Sequence, residues 1–165
     1  MNHEESKLQK QCVAWFRAQY PQYAMLLTHV ANEGNGNRVS AAIHKGEGTV
    51  AGVPDLLLFM PAEYREPAPA DGLVWITTFA GLGIEMKTPK GKQQQSQRDF
   101  QRIFEAAGYK YIIVRSFEEF KKEIIKWILF VQFDRRKYIA SAHVEIEKER
   151  LEREREKLRK IVKKG

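Results

Sequence analysis

The sequence predicts an α/β fold, a sandwich around one mixed β-sheet, and three observations point there. A segment with helical apolar spacing opens the chain, and several short β-rich runs follow it. A helix, strand, helix series then closes the body, with glycines and prolines falling between the runs. At 165 residues, 43% hydrophobic and 30% charged, the chain suits one globular domain with a real core plus an appendage.

Each element has its own reason. From Glu4 to Tyr20, the residues Leu8, Cys12, Trp15 and Phe16 recur on one helical face, and Pro21 ends the pattern. Tyr23 to Val30 is short, apolar and rich in β-formers, so a strand is expected. Asn32 to Gly52 holds five glycines and little apolar content, and reads as a long functional loop. Val53 to Met60 contains Leu56, Leu57, Leu58 and Phe59, apolar on both faces like a strand inside a sheet, and Pro61 closes it.

Ala62 to Gly72, with Pro67 and Pro69, reads as an excursion before a strand at Leu73 to Phe79. Gly83 to Lys87 is the next strand or a continuation of that one. Gln93 to Ala107 is the clearest helix, with Phe100, Ile103, Phe104 and Ala107 on its stripe and Gly108 as its cap. Tyr109 to Val114 is a strand, and Ser116 with Glu119 forms a capping box for a helix striped by Phe117, Phe120, Ile124, Trp127 and Ile128.

From about Ser141 the chain becomes a charged helix with pairs such as Glu149 with Arg153 and Glu156 with Lys160. Val144, Leu151 and Leu158 recur every seven residues, but only Ile161 supports the second heptad position, so a solvated or DNA-tracking helix is favoured over a coiled coil. The expected organisation is a domain at 1–130 and a charged helical extension at 131–165.

The formal charge of +7 belongs mostly to that extension: residues 131–165 hold 12 of the 28 Lys/Arg and 7 of the 21 Asp/Glu, net +5, leaving +2 for the body. Charge alone therefore does not assign a function. The single cysteine, Cys12, excludes an intramolecular disulfide framework and a cysteine-based zinc cluster, and suits a reducing compartment, the cytoplasm by default. No run of about 18 apolar residues occurs and no basic stretch leads into an apolar one, so neither a membrane span nor a secretory signal is expected.

The chemistry concentrates at Pro54-Asp55 and Glu85-Met86-Lys87. Side chains alternate along a strand, so Glu85 and Lys87 share one face while Met86 points to the other. Taken singly, an Asp after Pro is often a turn residue, and a Glu-x-Lys is often a surface ion pair. Together they are harder to explain structurally, because a strand of leucines and phenylalanine has no packing reason to begin with a charge. If the two strands pair, Asp55 and Glu85 converge on one hard cation, Mg²⁺ or Mn²⁺, with Lys87 beside it. Phosphodiester hydrolysis needs such a set: carboxylates to hold the metal, the metal to polarise phosphate and acidify water, and a lysine to oppose phosphate charge.

The segments GVPDLLLF, GLGIEMKTPKGKQQQSQRDFQRIFEAAGY and IIVRSFEEF resemble the VRR-Nuc family of the PD-(D/E)XK nuclease superfamily, over about Glu5 to Ile128. That resemblance implies a PD-(D/E)XK nuclease-like core, a central mixed β-sheet flanked by helices, and a catalytic set of Asp55, Glu85, Lys87 and Gln97. It also implies an acid on the first helix followed by Gln four residues later, which Glu5 and Gln9 fit, with Glu4 as the alternative acid. The implied metal ligands are Asp55, Glu85, the main-chain carbonyl of Met86, and Glu5. The family's Val-Arg-Arg signature stands here as Val114-Arg115-Ser116, lacking its second arginine.

Gln97 also lies on the inward stripe three residues before Phe100, where a glutamine is costly unless its amide is satisfied. His29, Asn32, Arg38 and Lys45 around the glycine-rich loop, Lys90 and Lys92 before the following helix, and Arg115 are candidate DNA contacts. His29 and His44 match no zinc-ligand spacing. The expected function is a Mg²⁺- or Mn²⁺-dependent, structure-selective DNA endonuclease working as a homodimer, in the manner of a Holliday-junction resolvase, and a phage origin suits its size. The alternatives are a flap nuclease or exonuclease of the same family, or a DNA-binding module without catalysis.

Overall fold

The protein is described by a computed structural model over residues 3–30, 46–67, 74–130 and 133–162. Helix α1 (His3–Gln19) leads through a 3₁₀ turn (Pro21–Leu26) into strand β1 (Leu27–His29). Strands β2 (Leu56–Leu58), β3 (Ala62–Pro67), β4 (Val74–Phe79) and β5 (Leu82–Met86) follow. Helix α2 (Gln95–Ala106), strand β6 (Lys110–Val114), helix α3 (Phe117–Leu129) and the long helix α4 (Phe133–Val162) complete the order.

The main sheet runs β1-β2-β5-β6 and is mixed: β1 with β2 and β2 with β5 are antiparallel, β5 with β6 parallel. A parallel pair needs a crossover between its strands, and α2 is that crossover. β5 is buried along its whole length, as a central strand should be. On one face, α1 and α3 bring Cys12, Phe16, Phe120, Ile124 and Trp127 onto Leu56, Leu58, Ile84 and Met86 in a single core cluster. Each of the larger side chains contributes about 1.5–3 kcal/mol by leaving water. Trp127 satisfies its indole by donating Nε1–H to the Met60 carbonyl at 2.9 Å.

On the opposite face, Gly83 makes room. A Cβ there would stand 2.9 Å from both the Phe104 ring and the Pro54 ring. The missing side chain therefore lets α2 and the Pro54 turn settle directly onto the sheet.

Several expectations change. The strand expected over Tyr23 to Val30 is three residues long, because Pro21 pre-sets a helical φ and the chain completes a 3₁₀ turn first. The stretch read as an excursion forms β3, paired antiparallel with β4 from Ala62 opposite Phe79 to Pro67 opposite Val74, a hairpin outside the main sheet. Pro67 is tolerated there at the end of a two-stranded ribbon. β5 is a separate strand and not a continuation of β4, since the chain bends at Ala80, whose N–H donates to the Gly108 carbonyl at 2.8 Å.

The stripe on α2 is rotated from the expected one. Ile103 is 72% exposed and Ala107 is also exposed, while Gln97, Phe100, Gln101 and Phe104 turn inward. Stacking of Phe104 on Tyr109, centroids 4.4 Å apart, and its fit over Gly83 set that rotation. α4 begins earlier than Ser141, and packs Ile139 near the core while leaving Val144 and Leu151 about half exposed.

Candidate active site

The site forms where β2 and β5 meet. The β2–β5 register pairs Leu56 with Ile84, so one step further Asp55 stands opposite Glu85. Asp55 Oδ2 accepts the Met86 N–H at 2.8 Å, which ties the carboxylate across the strand pair. Met86 itself points into the core with the apolar layer, so Glu85 and Lys87 share the other face, as strand alternation requires.

Glu85 is 1% exposed, and both oxygens of its carboxylate have partners. Oε1 meets Lys87 Nζ at 2.7 Å and accepts the side-chain amide of Gln97, while Oε2 accepts the Tyr111 hydroxyl at 3.1 Å. Gln97 sits in the first turn of α2, where its Oε1 also accepts the Gln94 N–H at 2.8 Å. Capping its own helix fixes the amide, so the nitrogen is aimed at Glu85. Glu5 reaches the rim from α1, where its Oε1 accepts the Thr88 N–H at 3.2 Å, one residue beyond Lys87. Glu4 lies on the exposed side of that helix turn.

The electrostatics are those of a crowded acidic site. Burial pushes the Asp55 carboxyl above its ordinary range and Glu5 adds to that, while the Met86 N–H, Lys87 and His29 pull it back. Burial likewise raises Glu85, with Asp55 adding to it and Lys87 and Tyr111 opposing. Two acids, each made a poorer anion by burial and by its neighbours, form a place where a cation is favoured.

Among the described residues no three His, Cys, Asp or Glu side chains form a ready-made cage. That donor set still fits Mg²⁺ or Mn²⁺, because such ions keep several waters and lean on one or two carboxylates. Asp55 and Glu85 would hold the ion, with Glu5 within electrostatic reach of Asp55.

Residues 1–118 match the family model of the VRR-NUC domain. The chain belongs to the VRR-NUC family. Among solved structures, one described as a VRR_NUC domain protein superimposes with a TM-score of 0.60, over 80% of this chain and 93% of that one, at 18% identity. At that identity the likeness is one of fold. No curated protein matches the sequence. Membership of the VRR-NUC family carries a nuclease-type function with it.

The remaining candidate residues of this VRR-NUC domain, Arg115 aside, fall into three groups. Asn32, Arg38 and Lys45 lie outside the described residues. Lys90 and Lys92 are exposed on the turn between β5 and α2. His29 is exposed at the end of β1, its Nδ1 lying 2.9 Å from the Asp55 carbonyl and 2.8 Å from Gln9 Nε2. The Nδ1–H tautomer donates to the carbonyl, and the other accepts from the amide. Gln9 is buried, and its Oε1 has no hydrogen-bond partner among the described residues.

Arg115, expected as a DNA contact, is engaged within the protein. Its Nη1 donates to the carbonyls of Thr88 at 2.9 Å and Gly91 at 2.7 Å, clamping the turn that joins Lys87 to α2. Tyr111 was not among the candidates. The signal was partial: Tyr111 is buried near the start of β6, where a phenol must find an acceptor, and Glu85 is that acceptor.

No helix among the described residues is long and apolar enough to cross a membrane.

Proposed function

We propose that this protein is a Mg²⁺- or Mn²⁺-dependent DNA endonuclease selective for DNA structure over sequence, with branched DNA as its substrate class. The observation that carries this reading is the meeting of Asp55, Glu85 and Lys87 at one strand end, with Gln97 on Glu85 and Glu5 at the rim. No part of the sequence offers a helix-turn-helix or zinc module to read bases, so recognition falls to backbone and shape.

The metal, when bound, supplies Lewis acidity toward the phosphate and a more acidic water. The chain's own residues do the rest. Asp55 and Glu85 would hold the ion, the Met86 carbonyl is the proposed main-chain ligand, and Glu5 adds negative charge at the rim. Lys87 opposes the charge that builds on the phosphate and orients or deprotonates the attacking water. Gln97 keeps Glu85 turned toward the site. Lys90 and Lys92, on a turn held by Arg115, would meet DNA phosphates, and the exposed His29 beside the Asp55 main chain is a further candidate contact.

Action on a symmetric junction favours a homodimer, whose two sites would cut two strands. Cleavage of four-way junction, flap and linear duplex DNA by wild type and Lys87→Ala, each with Mg²⁺, Mn²⁺ or EDTA, tests the proposal. Junction cleavage that needs metal and is lost in Lys87→Ala supports it. Cleavage in EDTA, or an undiminished variant, rejects the mechanism. Preference for flaps or ends would assign the other nuclease modes, and binding without cleavage under every metal would make the protein a DNA-binding module. Mass in solution, with and without residues after Ala140, tests the dimer and the part of α4 in it.

A further inference from the structure

Tyr111 lies on β6, 4% exposed, and is the one group other than Lys87 and Gln97 that holds the Glu85 carboxylate among the described contacts. In the parallel β5–β6 register Tyr111 pairs with Gly83, and Glu85 pairs with Ile113. Tyr111 and Glu85 are thus two residues apart along the strand direction, about 6.6 Å, close to the length of a tyrosine side chain. Gly83 and Glu85 lie on one face of β5, so Tyr111, level with Gly83, shares that face and reaches Glu85 diagonally. The Phe104 ring meets it edge-on at 6.5 Å and limits its rotation.

The two oxygens of Glu85 are divided by this arrangement. Oε2 faces the Tyr111 hydroxyl at 3.1 Å, whereas Oε1 faces Lys87 and Gln97. A carboxylate held at only one oxygen can turn about its final bond, since that torsion is broad. One held at both cannot.

We propose that Tyr111 is a positioning residue of the site, which donates its buried hydroxyl diagonally from β6 to Glu85 Oε2 and so presents Oε1 toward Lys87 and the cation. A phenol is protonated at neutral pH, so beside a carboxylate its hydroxyl serves as the donor. This inference rests on the metal-dependent reading of the site.

The test is Mn²⁺ binding to the intact protein, read from the free-ion EPR signal, in wild type, Tyr111→Phe and Tyr109→Phe. Tyr111→Phe keeps the ring and its packing and removes only the hydroxyl. Partners that orient metal ligands typically contribute about 10–100-fold to affinity, so Mn²⁺ affinity should fall by about 10-fold or more. In Tyr109→Phe, whose ring stacks on Phe104, it should not change.

Repeating the substitution in a Glu85→Gln background removes the buried carboxylate that Tyr111→Phe would leave short of a donor. There Tyr111→Phe should have no further effect on Mn²⁺ affinity. An unchanged affinity in Tyr111→Phe, or equal losses in both backgrounds, would overturn the inference while leaving the metal-dependent reading intact. A wild-type protein that takes up no Mn²⁺ would overturn both.

Discussion

Lys87 and Glu85 meet Nζ to Oε1 at 2.7 Å on one face of β5, with their side chains only 11% and 2% exposed. The ammonium neutralises a carboxylate that Asp55 and burial make costly to ionise. Lys87→Ala should cut cleavage by at least about 100-fold, the lower end for loss of a proton-handling group. It should also remove a positive charge beside the metal site. The rise in melting temperature on adding Mn²⁺ should therefore be larger in Lys87→Ala than in wild type, and equal rises would count against a shared site.

Asp55 offers the pH test. Its carboxyl is raised in the folded protein by burial first and by Glu5 after it, so the native state holds that proton more tightly than the unfolded chain does. The stability this gives is complete below the unfolded carboxylate pKa near 4 and is lost as pH rises through the higher native value. Metal-free wild type should lose stability between mildly acidic and neutral pH. Asp55→Asn can still accept the Met86 N–H but carries no charge, and should flatten that slope and raise the melting temperature at pH 7. Each kcal/mol recovered corresponds to about 2–4 °C in a chain of this size. A lower melting temperature for Asp55→Asn in scanning calorimetry would show that the attractions of Lys87 and Met86 outweigh burial.

Much of this site was legible before folding, for identifiable reasons. Strand alternation put Glu85 and Lys87 on one face, and a charge opening a leucine run marked Asp55. What periodicity could not supply was phase and pairing. Ile103 and Phe104 fit a helical stripe equally well, and only the hollow over Gly83 decides which turns inward. The β3–β4 hairpin was hidden because prolines and alanines in its sequence resemble a loop. Tyr111 was missed because its role depends on a diagonal contact across two strands that are 26 residues apart in sequence.

Arg115 should act on the turn it clamps. Arg115→Lys has a shorter reach and no rigid guanidinium to place a nitrogen like Nη1 between the Thr88 and Gly91 carbonyls. Hydrogen bonds from a charged donor contribute about 1.5–3 kcal/mol, and the loss falls locally on residues 88–94. Trypsin should cut after Lys90 and Lys92 faster in this variant than in wild type, as read by mass spectrometry of the first fragments. Unchanged cleavage rates would mean that the turn is held elsewhere.

Cys12 is 0% exposed in the core, and burial pushes its thiol up to about 12. With little thiolate and no access, it should be inert to a disulfide reagent in the native protein and should react fully in denaturant. Rapid native labelling, followed by absorbance, would mean that α1 detaches from the sheet in solution.

Gly52 and Gly48 separate two causes of glycine dependence. Both have positive φ, +90° and +93°, so alanine is strained at either position. Around Gly48 nothing lies within 4 Å of the added Cβ. At Gly52 the same atom would run into the Ser96 carbonyl and stand 2.8 Å from the Gln97 nitrogen, at the first turn of α2. Strain alone costs about 1–3 kcal/mol, so both variants should melt earlier. Only Gly52→Ala should also push the start of α2 away and carry Gln97 off Glu85, since that backbone cannot yield as a flexible side chain would. Measured well below both melting temperatures, cleavage by Gly48→Ala should match wild type and cleavage by Gly52→Ala should fall. Equal activities would show that the approach of Gly52 to α2 does not control the site.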